Sequence, residues 1–130
     1  APVHFHQMDA GNTSFPDGHF DLIVSHNLLH EISDEKRKEI ARETLRLLAP
    51  GGIAIHQDVD ILNRGKTLGE AAERAWDLRF NNEPYWVMYA NCDLRSELIA
   101  AGFPENKTWE QRVRKTDGPG FWYAWIAEKD

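Results

Sequence analysis

Two groups of polar side chains stand where short apolar runs end. Ser25, His26 and Asn27 follow Leu22-Ile23-Val24, with His30-Glu31 one helical turn further on. His56, Gln57, Asp58 and Asp60 follow Ile53-Ala54-Ile55. Histidine titrates nearest neutrality of all side chains, so His30 and His26 are candidate general bases. The same positions would also be polar if they merely ended strands in wet loops. A metal site is another reading. His26 and His30 are four apart, and His56 or Asp58 could reach them from a neighbouring strand, giving nitrogen and oxygen ligands suited to zinc or iron. Against it, the sequence has no H-E-x-x-H and His26 falls in the turn before any helix, so no metal is expected. His4, His6 and His19 are read as structural or solvent-exposed.

Other chemistries are excluded by spacing. None of the nine glycines forms G-x-G-x-x-G, and neither a P-loop nor a G-x-S-x-G elbow is present. Cys92 is the only cysteine and has no visible activator, so it reads as a small packing residue.

Positioning these residues needs an alternation of strands and helices. Phe20 to Ser25 contains three consecutive apolar residues, the pattern of a parallel strand covered on both faces. Pro16-Asp17-Gly18 turns the chain into it. A helix is expected from about Ser33 to Leu48, capped by Ser33 or Asp34, with Ile40, Ala41, Thr44, Leu45 and Leu48 on its apolar face. Its charges, paired as Glu35 with Lys38, Glu39 with Arg42 and Glu43 with Arg46, are expected to form a solvated face. Pro50-Gly51-Gly52 stops the helix, and Ile53 to Val59 returns as a second strand, completing a right-handed βαβ unit.

Leu68 to Phe80 is expected to be helical, with Leu68, Ala71, Ala72, Ala75, Trp76 and Leu78 as a rough apolar stripe. Asn81-Asn82-Glu83-Pro84 breaks it before the aromatic cluster Tyr85, Trp86, Met88 and Tyr89. A third helix starts near Asp93 and ends at Gly102-Phe103-Pro104. Thr108 to Lys115 and Phe121 to Ala127 form an antiparallel hairpin around Asp117-Gly118-Pro119-Gly120.

Composition bounds the rest. The 130 residues are 42% hydrophobic and 28% charged, a globular balance in one domain. A net charge of −6 argues against a nucleic-acid partner, and no apolar run approaches the ~18 residues of a membrane span. One cysteine and no visible signal peptide at Ala1-Pro2-Val3-His4 fit a reducing, cytoplasmic setting. The first residue is not methionine, so Ala1 could follow a removed initiator or lie inside a longer gene.

In this order the elements resemble the C-terminal part of a class I S-adenosylmethionine-dependent methyltransferase of the small-molecule type. VHFHQMDAGNTSFPDGHFDLIVSHNLLHEI is similar to that family's third strand, acidic turn and fourth strand. RLLAPGGIAIHQDV resembles its helix ending in L-x-P-G-G and its fifth strand. DLRSELIAAGF and GFWYAWIAEKD resemble the last helix and the terminal antiparallel strand. The resemblance implies an α/β fold: a partial Rossmann-like methyltransferase sheet of parallel strands with a C-terminal antiparallel hairpin and flanking helices. It divides the single domain into a cofactor-side βαβ unit (1–59), a variable acceptor-side segment (60–92), and a helix with the terminal hairpin (93–130).

The resemblance also assigns roles. Asp9 would accept a hydrogen bond from the adenine amine of S-adenosylmethionine, and Ala10 would offer its backbone amide. Ser25, His26 and Asn27 would sit beside the cofactor, with His30 facing cofactor or acceptor. His56, Asp58, Tyr85, Trp86 and Tyr89 are substrate-side candidates, the aromatics being equally suited to core packing. Asn82-Glu83-Pro84-Tyr85 only loosely matches an N-P-P-Y loop and follows the wrong strand, so it is set aside.

The family's glycine-rich loop and the acidic residue that grips the ribose have no counterpart in these residues. Two expectations follow. Either the chain is part of an enzyme for methyl transfer to a small-molecule acceptor, with weak cofactor binding by itself. Or it is a non-catalytic half-domain that pairs through an exposed edge, the family's fourth strand, as a homodimer or with a separate piece.

Overall fold

The computed structural model describes residues 2–63, 66–80, 83–116 and 118–130, without the side chains of 73, 74, 77 and 78. The apolar run forms strand β1 (Phe20–His26), and a single 3-10 turn, Leu29–Glu31, leads into helix α1 (Asp34–Leu47). Ser33 caps α1, its hydroxyl accepting from the Lys36 N–H at 3.2 Å, while Asp34 and Glu35 face the positive end of the helix dipole. Strand β2 (Leu48–Val59) begins before Pro50-Gly51-Gly52 rather than after it. The β1–β2 register jumps from Phe20↔Leu48 to Leu22↔Ile53, so the Pro-Gly-Gly stretch is accommodated as an irregularity in the ladder. Gly51 takes a φ of 76°, and a side chain at Gly52 would meet the Ala49 carbonyl oxygen at 2.9 Å.

Helices α2 (Leu68–Phe80), α3 (Trp86–Ala90) and α4 (Leu94–Ala101) follow, then strands β3 (Thr108–Arg114) and β4 (Phe121–Glu128). Asp93 caps α4, and Gly102 ends it in the left-handed conformation. The sheet order is β1-β2-β4-β3, with β1 parallel to β2 and β4 antiparallel to both neighbours. The βαβ unit and the hairpin are as expected; Asn81, Asn82 and Asp117 of the expected breaker and turn lie outside the described residues.

Register fixes the two faces of the sheet. Ile23, Ala54 and Ala127 align on one, followed by Ser25, His56 and Trp125. Against this face α1 and α4 pack, joining Ala41, Leu48, Ala54, Leu98, Trp125 and Ala127 in one core. The other face bears Leu22, Val24, Ile53, Trp109 and Val113, all exposed. The expectation that β1 is covered on both faces is therefore corrected: Leu22 and Val24 are 56% and 59% exposed, because both helices pack on the Ile23 side. Val3 to Met8, similar to a family strand, pairs with no strand among the described residues and is exposed. β1 forms one edge of the sheet.

The α1 charges also differ from the expected solvated face. Arg37 is buried and joins α1 to α4, donating to Asp34 at 2.7 Å and to both carboxylate oxygens of Glu97 at 2.8 Å. Glu43 is buried too, accepting from the Thr13 N–H and hydroxyl and from Arg46, which ties the 13–17 loop to the helix. The Arg46 guanidinium and the Thr13 donors hold the Glu43 carboxyl down at about 2. On α2 the stripe residues Leu68 and Trp76 are exposed; the Leu78 side chain lies outside the described residues.

Candidate functional site

The polar residues gather at the ends of β1 and β2, where a parallel pair delivers its C-termini together. After His26, Asn27 adopts a left-handed φ of 53° and its N–H donates to the Gln57 carbonyl at 3.0 Å. Asparagine tolerates this conformation better than most residues. The reversal directs the chain into the 3-10 turn and brings His30 over the end of β2.

There Asp58, fully buried, organises the turn. Its Oδ2 accepts from the Leu29 N–H at 2.7 Å and the His30 N–H at 3.3 Å, and its Oδ1 accepts from the Val59 N–H at 2.7 Å. Oδ1 also meets His30 Nδ1 at 2.5 Å. An ionised carboxylate can only accept, so the proton between them belongs to Nδ1, which leaves Nε2 as the nitrogen that can exchange protons. Nε2 lies 2.9 Å from Glu31 Oε1, a carboxylate whose side chain is 55% exposed. A proton taken up at Nε2 would thus lie in an imidazole clasped by two carboxylates. Trp86 presents a perpendicular ring to His30 at 5.5 Å, and Tyr89 lies 6.1 Å away. The Trp86 indole N–H is buried with no partner among the described residues.

Tyr89 is fully buried and donates its hydroxyl to the Val59 carbonyl at 2.9 Å. Burial first, and the Asp58 charge second, push its phenol upward in pKa, so it stays protonated. Its contacts are those of a core residue that walls the site. Tyr85 and Trp86 are half-buried at the start of α3.

His56 sits two residues before Asp58 on the same face and pairs with the Ser25 hydroxyl, Oγ to Nδ1, at 2.8 Å. It is 2% exposed, and burial lowers its pKa to about 4, so the ring is neutral near pH 7. Its Nε2 is buried with no partner among the described residues. His26 lies on the opposite face, its ring edge-on to Trp122 at 4.8 Å, while Lys115 Nζ lies 4.1 Å from the centre of the same ring. His26 and His30 are thus separated by the sheet rather than sharing a helix face. Among the described residues no three His, Cys, Asp or Glu side chains converge as a metal ion would require.

Asp9 and Ala10 are exposed in a turn closed by the Asp9–Asn12 bridge. Asp9 Oδ1 accepts from the Gly11 N–H at 2.8 Å and Oδ2 from Lys36 Nζ at 2.9 Å. The hydrogen bond from Lys36 is the main reason its carboxyl is held below the ordinary value, so it is an acceptor with lone pairs to spare. Sequence reasoning assigned no role to Glu31 and did not pair Ser25 with His56; it brought Asp58 toward His30 only as a possible metal ligand. The only available signal was that each pair ends adjacent parallel strands.

The fold that carries these residues is shared with known proteins. Residues 1–52 match the family model of a methyltransferase domain. No curated protein matches the sequence. Among solved structures, a SAM-dependent methyltransferase from Methanosarcina mazei is 17% identical with a TM-score of 0.62, over 92% of this chain and 64% of that one. A second, from Thermotoga maritima, is 16% identical with a TM-score of 0.65, over 93% and 61%. A phosphoethanolamine N-methyltransferase from Haemonchus contortus, bound to S-adenosyl-L-methionine, is 14% identical with a TM-score of 0.64, over 92% and 35%. The chain spans about three fifths of the length of the first two. Its first 52 residues carry a methyltransferase-domain signature, and the chain has the fold of the S-adenosylmethionine-dependent methyltransferases.

Proposed function

We propose that the chain serves S-adenosylmethionine-dependent methyl transfer to a small-molecule acceptor, with His30 as general base and Asp58 as the group that orients it. The observation that carries this reading is the buried Asp58–His30 pair at the ends of the parallel strands. Asp58 fixes the tautomer and stabilises the imidazolium formed when Nε2 removes a proton from the acceptor. The ring cannot rotate freely, because Asp58 also binds the backbone of its own turn. Trp86 and Tyr89 limit access of water to the imidazole, and Tyr85 extends the aromatic wall toward the acceptor.

S-adenosylmethionine would supply an electrophilic methyl group on a sulfonium. The residues present fit its adenine end: Asp9 offers an exposed, ionised acceptor, Ala10 lies beside it, and Ser25, His26 and Asn27 end β1. The sequence has no glycine-rich loop for the methionine and ribose portions. The 130 residues alone therefore bind the cofactor weakly, and calorimetric titration of the purified chain tests this. A micromolar dissociation constant would overturn it.

A second reading rests on the edge position of β1 and the exposure of Leu22 and Val24. β3, the opposite edge, is guarded by Glu110, Arg112 and Arg114, whereas β1 carries no cationic residue before His26. In this reading the chain is a non-catalytic half-domain that pairs through β1 as a homodimer. Sedimentation at micromolar concentration separates the two: a monomer that stays monomeric removes this alternative. Among the described residues no helix is long and apolar enough to cross a membrane.

A further inference from the structure

The site around His30 has a charge imbalance that names a class of acceptor. Asp58 and Glu31 both face the imidazole, at 2.5 and 2.9 Å, and neither carboxylate pairs with a lysine or arginine among the described residues. Elsewhere on the chain Glu97 is matched by Arg37, Glu43 by Arg46, and Asp60 by Arg112. Around His30 two negative charges share one ring, which at most carries a single positive charge. A ligand that restores balance there is a cation. Trp86, whose ring stands nearly perpendicular to His30 at 5.5 Å, adds an aromatic wall beside the same place.

We infer that the acceptor group at His30 is an amine, bound in its ammonium form between the exposed Glu31 carboxylate and His30 beside Trp86. This rests on the reading of His30 as the base for methyl transfer. Glu31 is more than half exposed and can swing outward to admit a nitrogen between itself and Nε2. His30 Nε2 then takes one N–H proton, the N–H bonding pair stays on nitrogen as its lone pair, and the ring becomes an imidazolium. Once the methylated amine has left, Glu31 returns to Nε2, accepts that proton and releases it to water, restoring the imidazole. An anionic acceptor such as a carboxylate or a phenolate would meet two like charges at the same place.

The test compares phenethylammonium, 2-phenylethanol and phenylacetate, which are similar in size and differ in charge, on the 130-residue chain. Binding is read by NMR from the Trp86 indole N–H and the His30 ring. Phenethylammonium is expected to shift both signals and to bind at least about fivefold more tightly than the alcohol, with phenylacetate weakest. Glu31→Gln, at an exposed position that the fold does not need, is expected to erase that preference, and Glu31→Asp to keep part of it. Equal binding of alcohol and ammonium, tighter binding of the carboxylate, no ammonium binding, or an unchanged preference in E31Q would each overturn the inference. S-adenosylmethionine takes no part in this titration. Absence of methyl transfer in an assay supplied with S-adenosylmethionine would therefore count against that reading, and failure here against the amine alone.

Discussion

His30 and His56 lie on the same side of the sheet, close to the ends of adjacent strands, and their surroundings treat them in opposite ways. His30 is held by a buried carboxylate on Nδ1 and an exposed one on Nε2. His56 has a hydroxyl on Nδ1 and, among the described residues, no partner on Nε2, with burial the cause of its lowered pKa. Both rings are shielded from water, so burial alone does not separate them. The difference lies in the partners: carboxylates compensate a positive ring, and a single serine does not. Only the first ring has carboxylates placed to compensate a proton on Nε2. The second is a neutral packing element with a hydrogen-bonding cost attached.

The sharpest way to break this contrast is to remove Asp58. Asp58→Ala takes the acceptor from three backbone N–H groups and from His30 Nδ1, all at a site with no solvent to replace it. We predict a loss of about 3–5 kcal/mol of unfolding free energy, measured by urea denaturation, since each stranded buried donor carries its desolvation cost. Asp58→Asn keeps an acceptor for the turn but presents an amide to the imidazole, and should lose less. A loss under about 1 kcal/mol for the alanine variant would mean that the turn is held by packing, not by the carboxylate.

Acid titration of stability addresses the other histidine. His56 has a folded pKa of about 4 against 6.5 when unfolded, so the unfolded chain binds the proton more readily. Its contribution is complete above pH 6.5 and is lost as pH falls toward 4, amounting to about 3 kcal/mol across that window. Glu43 acts lower, where its carboxyl, held at about 2 against 4.5, surrenders its contribution as pH falls through that range. His56→Leu should therefore flatten the stability profile between pH 6.5 and 4 and leave the Glu43 region unchanged. An unaltered slope in the variant would show that other groups govern that window.

Most of the framework behind this contrast was legible in the sequence. Three consecutive apolar residues marked β1, Ser33 and Asp93 marked helix starts, Gly102 marked a helix end, and the hairpin was set by its turn. What remained hidden depended on contacts between distant residues. Helical spacing shows which charges on α1 neighbour one another, but it cannot show that Arg37 reaches Glu97 sixty positions away. An apolar run likewise shows that β1 belongs in a sheet, not which of its faces the helices cover. In the site, the histidines and Asp58 were identifiable by type and position. Their pairing required the left-handed Asn27 that swings His30 over β2, leaving His56 to Ser25.

The smallest effect isolates that serine. Ser25→Ala removes the only side-chain partner of His56 among the described residues, which should cost about 1–2 kcal/mol at pH 7.5. The form of the pH profile says more than the size of the loss. Removing the hydroxyl does not ease the burial that disfavours the charged ring, so S25A should lower the stability curve while keeping the fall between pH 6.5 and 4. His56→Leu should do the reverse, keeping stability at pH 7.5 closer to that of the parent and removing the fall. A flattened profile in S25A would mean that the serine, rather than burial, sets the titration of His56. The two histidines would then differ in the strength of their partners and not in kind.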